Sequence, residues 1–171
     1  MALFYVVGAL IILTIFAKDI PAAFGLIFRS AFTGTAAVGG FAGSTIMMAA
    51  RYGVARGVFS NEAGLGSAPI AHAAATTDSA VRQGLWGIFE VFMDTIIVCS
   101  MTALTIVVTG VWDTGLDGAA LSTEAFNKGL PGPGGIIVAI GILLFAYSTI
   151  LSWSYYGERC AEYLFGSRIN K

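Results

Sequence analysis

The chain has 171 residues, of which 57% are hydrophobic and 11% charged, with a net charge of −1 and a mean hydropathy of +0.82. A water-soluble domain carries roughly a quarter of its residues as charges, so a lipid-facing exterior is what this composition requires, and the chain reads as an integral membrane protein. The charge balance gives no electrostatic basis for binding nucleic acid or for polybasic attachment to acidic lipid. Cys99, inside an apolar run, and Cys160, beside Glu158 and Arg159, have neither a disulfide framework nor a metal-ligand spacing.

In chain order, residues 2–17 form an uncharged run rich in Leu, Ile, Val and Phe, closed by Lys18-Asp19 and Pro21. With no basic region before it and no small-residue cleavage site after it, the run reads as a transmembrane helix and not as a signal peptide. At about 1.5 Å per residue it is slightly short for a hydrocarbon core about 30 Å thick, as a helix beginning partway would be. Residues 21–32, with Pro21 at the start and apolar Phe24, Ile27, Phe28 and Phe32 around Arg29, predict a short interfacial helix. Residues 34–56 are crowded with glycine and alanine; Gly39 to Gly43 and Gly53 to Gly57 have the small-xxx-small spacing that lets helix backbones approach in lipid. Arg51 and Arg56 require part of this segment to face protein or water.

Next comes Gly57-Val58-Phe59-Ser60-Asn61-Glu62-Ala63-Gly64-Leu65-Gly66-Ser67-Ala68-Pro69, a polar, glycine-bearing interruption, followed by an alanine-rich piece holding the single histidine, His72, and a polar turn with Asp78 and Arg82. A long helix is predicted over 84–109, with Glu90 and Asp94 on one face at i, i+4, then a loop over 110–134, and a full-length apolar helix over 135–156 ending in Trp153, Tyr155 and Tyr156 at an interface. Residues 157–171 carry Glu158, Arg159, Arg168 and Lys171 as a charged tail. Lys and Arg counts place that tail in the cytoplasm and the 110–134 loop outside, with Lys18 and Arg29 against the rule.

The interruption carries the chemistry. Ser60, Asn61, Glu62, Gly64, Gly66 and Pro69 weaken or redirect a helix through competing side-chain hydrogen bonds, glycine entropy and the missing proline donor. Broken backbone at membrane depth is tolerated where it is buried in protein or lines a cavity. Its unpaired N–H groups suit a bound carboxylate and its unpaired C=O groups a bound cation. Plainer roles stand beside this one. Ser60, Asn61 and Glu62 serve equally as a cap or kink, and Glu62 is expected to be a structural acid paired with Arg56 or Arg51. Glu90 and Asp94 fit either satisfied interhelical hydrogen bonds or an ion pathway. Ser148, Thr149 and Ser152 can bond their own i−4 carbonyls, and His72 reads as a packing residue rather than a pH sensor. An enzyme is excluded: Gly64-x-Gly66-Ser67 follows no strand and precedes no P-loop lysine, and no nucleophile, base and acid assemble around His72.

The run Arg56-Gly57-Val58-Phe59-Ser60-Asn61-Glu62-Ala63-Gly64-Leu65-Gly66-Ser67-Ala68-Pro69-Ile70-Ala71-His72-Ala73 resembles the signature of the alanine or glycine:cation symporter family, the sodium:alanine symporters. The resemblance continues through Gln83-Gly84, Phe92-Met93-Asp94-Thr95, Thr102-Ala103, Phe145-Ala146-Tyr147-Ser148-Thr149 and Trp153-Ser154-Tyr155-Tyr156-Gly157-Glu158, so it covers nearly the whole chain. It implies an all-α membrane fold like that of the leucine transporter, two inverted five-helix repeats, with this chain covering about helices five to eight and the broken sixth helix at 45–77. It implies sodium-coupled symport of a small neutral amino acid, alanine or glycine, in the cell membrane, with sodium as coupling ion and no other cofactor. Phe59, Ser60 and Asn61 then line the amino-acid site, Trp153 closes a small pocket, and Ser148, Thr149 and Ser152 supply hard oxygen ligands to sodium. The first broken helix, which shares both sites in this fold, is not in these residues. The competing expectation is a truncated, non-transporting membrane protein or a subunit that packs through its glycine faces.

Overall fold

The computed structural model describes residues 2–32 and 46–166. The Gly39–Gly43 pair, the start of the predicted broken helix, and Arg168 and Lys171 of the tail lie outside them. The described residues are helical, with no strand among them.

Helix α1 (Ala2–Ile15) gives way to a 3₁₀ turn (Ala17–Asp19) and then α2 (Ile20–Phe32), the two helices bent by 78° at the charged Lys18-Asp19 step. Pro21 falls in the first turn of α2, where its missing N–H costs no intrahelical bond. Helix α3 (Ile46–Asn61) is followed by the irregular 62–67 segment and the short α4 (Ala68–His72). After a turn, Ser79 caps α5 (Ala80–Val91), its hydroxyl accepting from the Arg82 N–H at 3.3 Å. Helix α5 runs without a break through a π-helical segment (Phe92–Cys99) into α6 (Ser100–Val108).

Helix α7 (Gly118–Gly129) lies within the stretch expected to be a loop. The sequence signal there is weak, with glycine at both ends, and burial of Ala125 and Phe126 holds the helix in place. Helix α8 (Gly134–Phe165) continues past the expected end at Tyr156 into the charged tail. A bond between Arg159 and Glu162 (2.6 Å, i, i+3) supports the extension, and Gly166, at φ +83, stops it.

The core sits at one end of the molecule. Ala9, Ile12 and Leu13 of α1, Ala23 of α2, Met101 and Leu104 of α6, Phe126 of α7 and Val138 of α8 form one buried cluster. The backbones come close here: a Cβ on Gly129 would lie 2.7 Å from Ile12, and one on Gly134 would collide with the Phe126 carbonyl. Tyr5 stacks on Phe126 and shares a 2.8 Å hydrogen bond with Thr102, tying α1 to α6. By length and composition Ala80–Val108 and Gly134–Phe165 can each cross a bilayer, and α1 with α2 makes a third candidate if the bent pair is one span. The structure is that of an all-α membrane protein.

Candidate functional site

The broken helix is opened by backbone conformation. Glu62 has φ +55, the one non-glycine residue with positive φ among the described residues, and Gly64 and Gly66 follow at +83 and +81. The left-handed region costs a side-chain-bearing residue about 1–2 kcal/mol, so Glu62 must be held there. Its Oε2 accepts from Ser67 Oγ at 2.7 Å and from the Tyr156 hydroxyl at 3.2 Å, while Asn61 Oδ1 accepts from the Ala63 N–H at 2.9 Å. The expected pairing of Glu62 with Arg56 or Arg51 is not found among the described residues. The left-handed step carries the carboxylate forward across the break, toward α4 and α8, and away from the arginines behind it on α3.

The end of α3 is tied to the π-helical segment. Ser60 Oγ donates to Asp94 Oδ2 at 2.9 Å and lies 3.1 Å from Oδ1; Asn61 Nδ2 donates to Thr95 Oγ1 at 2.9 Å. Wider i→i+5 winding inserts extra backbone into the helix and lets two consecutive residues, Asp94 and Thr95, reach the same helix end. Glu90 and Asp94 therefore both have partners, Glu90 through His72 Nε2 at 3.2 Å. His72 Nδ1 is 2.7 Å from Gln83 Nε2.

These groups border an open cavity of about 420 Å³ lined by Ser60, Asn61, Glu62, Ala68, Ala71, His72, Gln83, Glu90, Asp94 and Tyr156. Three carboxylates and no lysine or arginine line it, so its field attracts cations. Beside it, Phe59 and Trp153 bring their rings to 6.0 Å between centroids at 33°. Of the residues picked out in the sequence, Ser60 and Asn61 line the cavity, whereas Phe59 and Trp153 do not line it and meet each other instead.

Ser148, Thr149 and Ser152 do not line this cavity. Each donates to the backbone of α8, Ser148 and Thr149 to the Phe145 carbonyl at 3.0 and 2.8 Å and Ser152 to the Ser148 carbonyl at 3.0 Å. A hydroxyl that gives its proton to a carbonyl keeps its lone pairs, so this arrangement leaves oxygens able to ligate a hard cation.

The profile of the sodium:alanine symporter family matches residues 1–171. The chain belongs to the sodium:alanine symporter family. It is 52% identical over 170 residues to an uncharacterized transporter of Haemophilus influenzae, and 50% identical over 172 residues to the sodium/alanine symporter AgcS of Methanococcus maripaludis; each match covers 98% of this chain and 37% of the relative. A putative sodium/proton-dependent alanine carrier protein of Bacillus subtilis is 38% identical over 185 residues, covering the whole chain and 37% of the relative. The chain thus spans a little over a third of the length of the curated relatives it matches. Sodium:alanine symporters are transporters and not enzymes, in keeping with the absence of a catalytic constellation in the sequence.

Gln83, Thr95 and Tyr156 lie in the motifs of the family, but their pairings with His72, Asn61 and Glu62 carry no signal in a single sequence, because each joins residues apart in the chain. Asp94 and Glu90 did carry one: an acid inside an apolar helix needs a partner.

Proposed function

We propose that this chain forms half of the binding site of a sodium-coupled symporter for a small neutral amino acid, alanine or glycine, in a leucine-transporter-like five-plus-five inverted-repeat fold of the cell membrane. The observation that supports this best is the end of α3: Ser60 and Asn61, bonded to Asp94 and Thr95, stand at the break in the helix, next in the chain to Phe59, whose ring meets that of Trp153. A zwitterion needs a cation-attracting wall for its ammonium and free N–H groups for its carboxylate. The acid-lined cavity provides the first of these, and the break between α3 and α4 is the place in this chain where the second is to be sought. Trp153 limits the room left for a side chain, which favours alanine or glycine over bulkier substrates. Sodium is the coupling ion, with Ser148, Thr149 and Ser152 as ligands completed by a helix from elsewhere in the transporter. Relatives are named for sodium alone and for sodium with protons, so a second cation is within the family's range.

The test is a chimaera in which these 171 residues replace the matching part of the Methanococcus maripaludis symporter, reconstituted in proteoliposomes. Sodium-driven uptake of labelled alanine is expected, with Asn61→Ala and Trp153→Ala each lowering it at least about tenfold, the loss of about 1.4 kcal/mol of binding. Normal uptake by both variants overturns the site assignment.

A second reading, a truncated non-transporting protein or packing subunit, draws on one feature: no residue of α4, α5 or the π segment is buried. The 171-residue chain alone is accordingly expected to give no sodium-driven uptake; measurable uptake in proteoliposomes refutes this.

A further inference from the structure

We propose that His72, clamped between Gln83 and Glu90, is a proton-binding site of the translocation cavity, so that pH as well as sodium sets the rate of uptake. The inference rests on the transport reading above and adds a second cation and its place.

The hydrogen bonds define the resting state. Glu90 has only acceptor oxygens when ionised, so His72 Nε2, 3.2 Å from Oε2, carries a proton. Nδ1 then has a free lone pair and accepts from Gln83 Nε2 at 2.7 Å. A neutral imidazole with one donated and one accepted bond is fully satisfied, which fits a packing role. Its partners, however, also suit the other protonation state. An incoming proton binds at Nδ1, and Gln83, by turning its amide, presents Oε1 to the new N–H; Glu90 then faces an imidazolium and the contact becomes an ion pair. No partner is lost in either state. A purely structural histidine does not require an amide that serves as donor or acceptor on one side and a carboxylate on the other.

The groups around the imidazole are acidic. On α5, Glu90 faces His72; from the break comes Glu62, from the π segment Asp94, and from α8 the phenol of Tyr156. The α8 charges beyond Tyr156, namely Glu158, Arg159 and Glu162, are paired with one another, and Arg82 is paired with Asp78 at 3.3 Å. The titratable groups around the imidazole are thus acids, with no cation among the residues that line the cavity.

Position supplies the route. A second cavity, bounded by the 62–66 break, α4, the 77–79 turn and the start of α5, shares His72, Gln83, Glu62 and Ala68 with the first. His72 and Gln83 therefore stand where the two cavities meet, reachable from one and in line with Ser60 and Asn61 in the other. A proton held there changes the charge of the wall that faces the amino-acid site.

The experiment follows sodium-driven alanine uptake by the same chimaera in proteoliposomes over about pH 5 to 8, the range in which imidazoles ordinarily titrate. The unsubstituted chimaera is expected to change its KM for alanine severalfold across this range, and His72→Gln to flatten the profile. Glu90→Gln is expected to keep an inflection but displace it, because the carboxylate in contact with the imidazole is gone. Robust uptake with a flat profile in the unsubstituted chimaera, or an unchanged inflection in His72→Gln, overturns the proton site while leaving the transport reading intact. If His72→Gln gives no uptake, Glu90→Gln decides: a displaced inflection supports the site and an undisplaced one overturns it. Absence of uptake by the unsubstituted chimaera at every pH overturns the transport reading itself, and this inference with it.

Discussion

At the scale of single residues, the break is held by a set of replacements for helical hydrogen bonds. Asn61 serves both sides of the break, its Oδ1 accepting from Ala63 N–H and its Nδ2 donating to Thr95, so alanine at this position removes two bonds at once. Asp94 differs in that its contribution is charge as well as shape. Asp94→Asn retains an acceptor for Ser60 but lowers the negative field of the cavity, and a rise in KM for alanine of about tenfold, or about 1.4 kcal/mol, is expected in uptake measurements on the full-length chimaera. The Glu62 conformation is held by two hydroxyl donors. Tyr156→Phe removes one of them, a net loss of about 1.5 kcal/mol for a bond to a charged acceptor; a lower thermal unfolding midpoint with retained fold checks it. Gly64, at φ +83 with open space around its Cα, is a simpler case. Gly64→Ala meets no clash, and the expected cost of about 1 kcal/mol is conformational alone.

At the scale of elements, the π-helical segment decides which residues face the break. Before it, α5 carries Gln83 and Glu90 toward His72; within it, Asp94 and Thr95 reach the end of α3; after it, α6 places Met101 and Leu104 in the core. One rod thus meets three partners in three registers, and uniform α winding does not match them all. Removing one residue from the segment, Ile96 for example, rotates everything before it by about 100° relative to everything after it. Because α6 is anchored in the core, the α5 half turns, and Gln83 and Glu90 leave His72. Loss of uptake with helix content unchanged by circular dichroism is the expected result; normal uptake shows that the π winding is incidental. The α1–α2 bend has a plainer origin, a charged step followed by a proline tolerated in the first helical turn.

At the scale of the molecule, packing is uneven. The core formed by α1, α2, α6, α7 and α8 is closed, with Phe126 1% exposed, while Phe59 and Trp153 at the site are 63% and 46% exposed. The aromatic pair therefore contributes little to the packing of these residues. The two regions should respond differently to substitution. Phe126→Ala removes a fully buried ring stacked on Tyr5 and is expected to cost about 3 kcal/mol. Gly134→Ala forces a methyl group against the Phe126 backbone and is expected to destabilise the fold as an overpacked core does, by about 1–3 kcal/mol, with a lower unfolding midpoint. Thermal unfolding of the purified full-length chimaera measures both.

The sequence alone determined the membrane class, the family, the apolar helices and the place where one helix breaks, because these follow from local composition and from residues consecutive in the chain. Charge scarcity does not depend on fold, and Gly64, Gly66 and Pro69 disfavour a continuous helix wherever it lies. It did not determine α7, whose helix depends on burying Phe126, or the length of α8, which depends on side-chain pairs in a segment that reads as a tail. Nor did it determine the partner of Glu62: an arginine on α3 was the nearest opposite charge along the chain, but a left-handed residue turns the carboxylate away from it. Asp94, Thr95, Gln83 and Tyr156 come to the break only through tertiary structure. Their contacts join residues from 11 to 94 positions apart, and such pairings are decided by how helices pack, which no local pattern records.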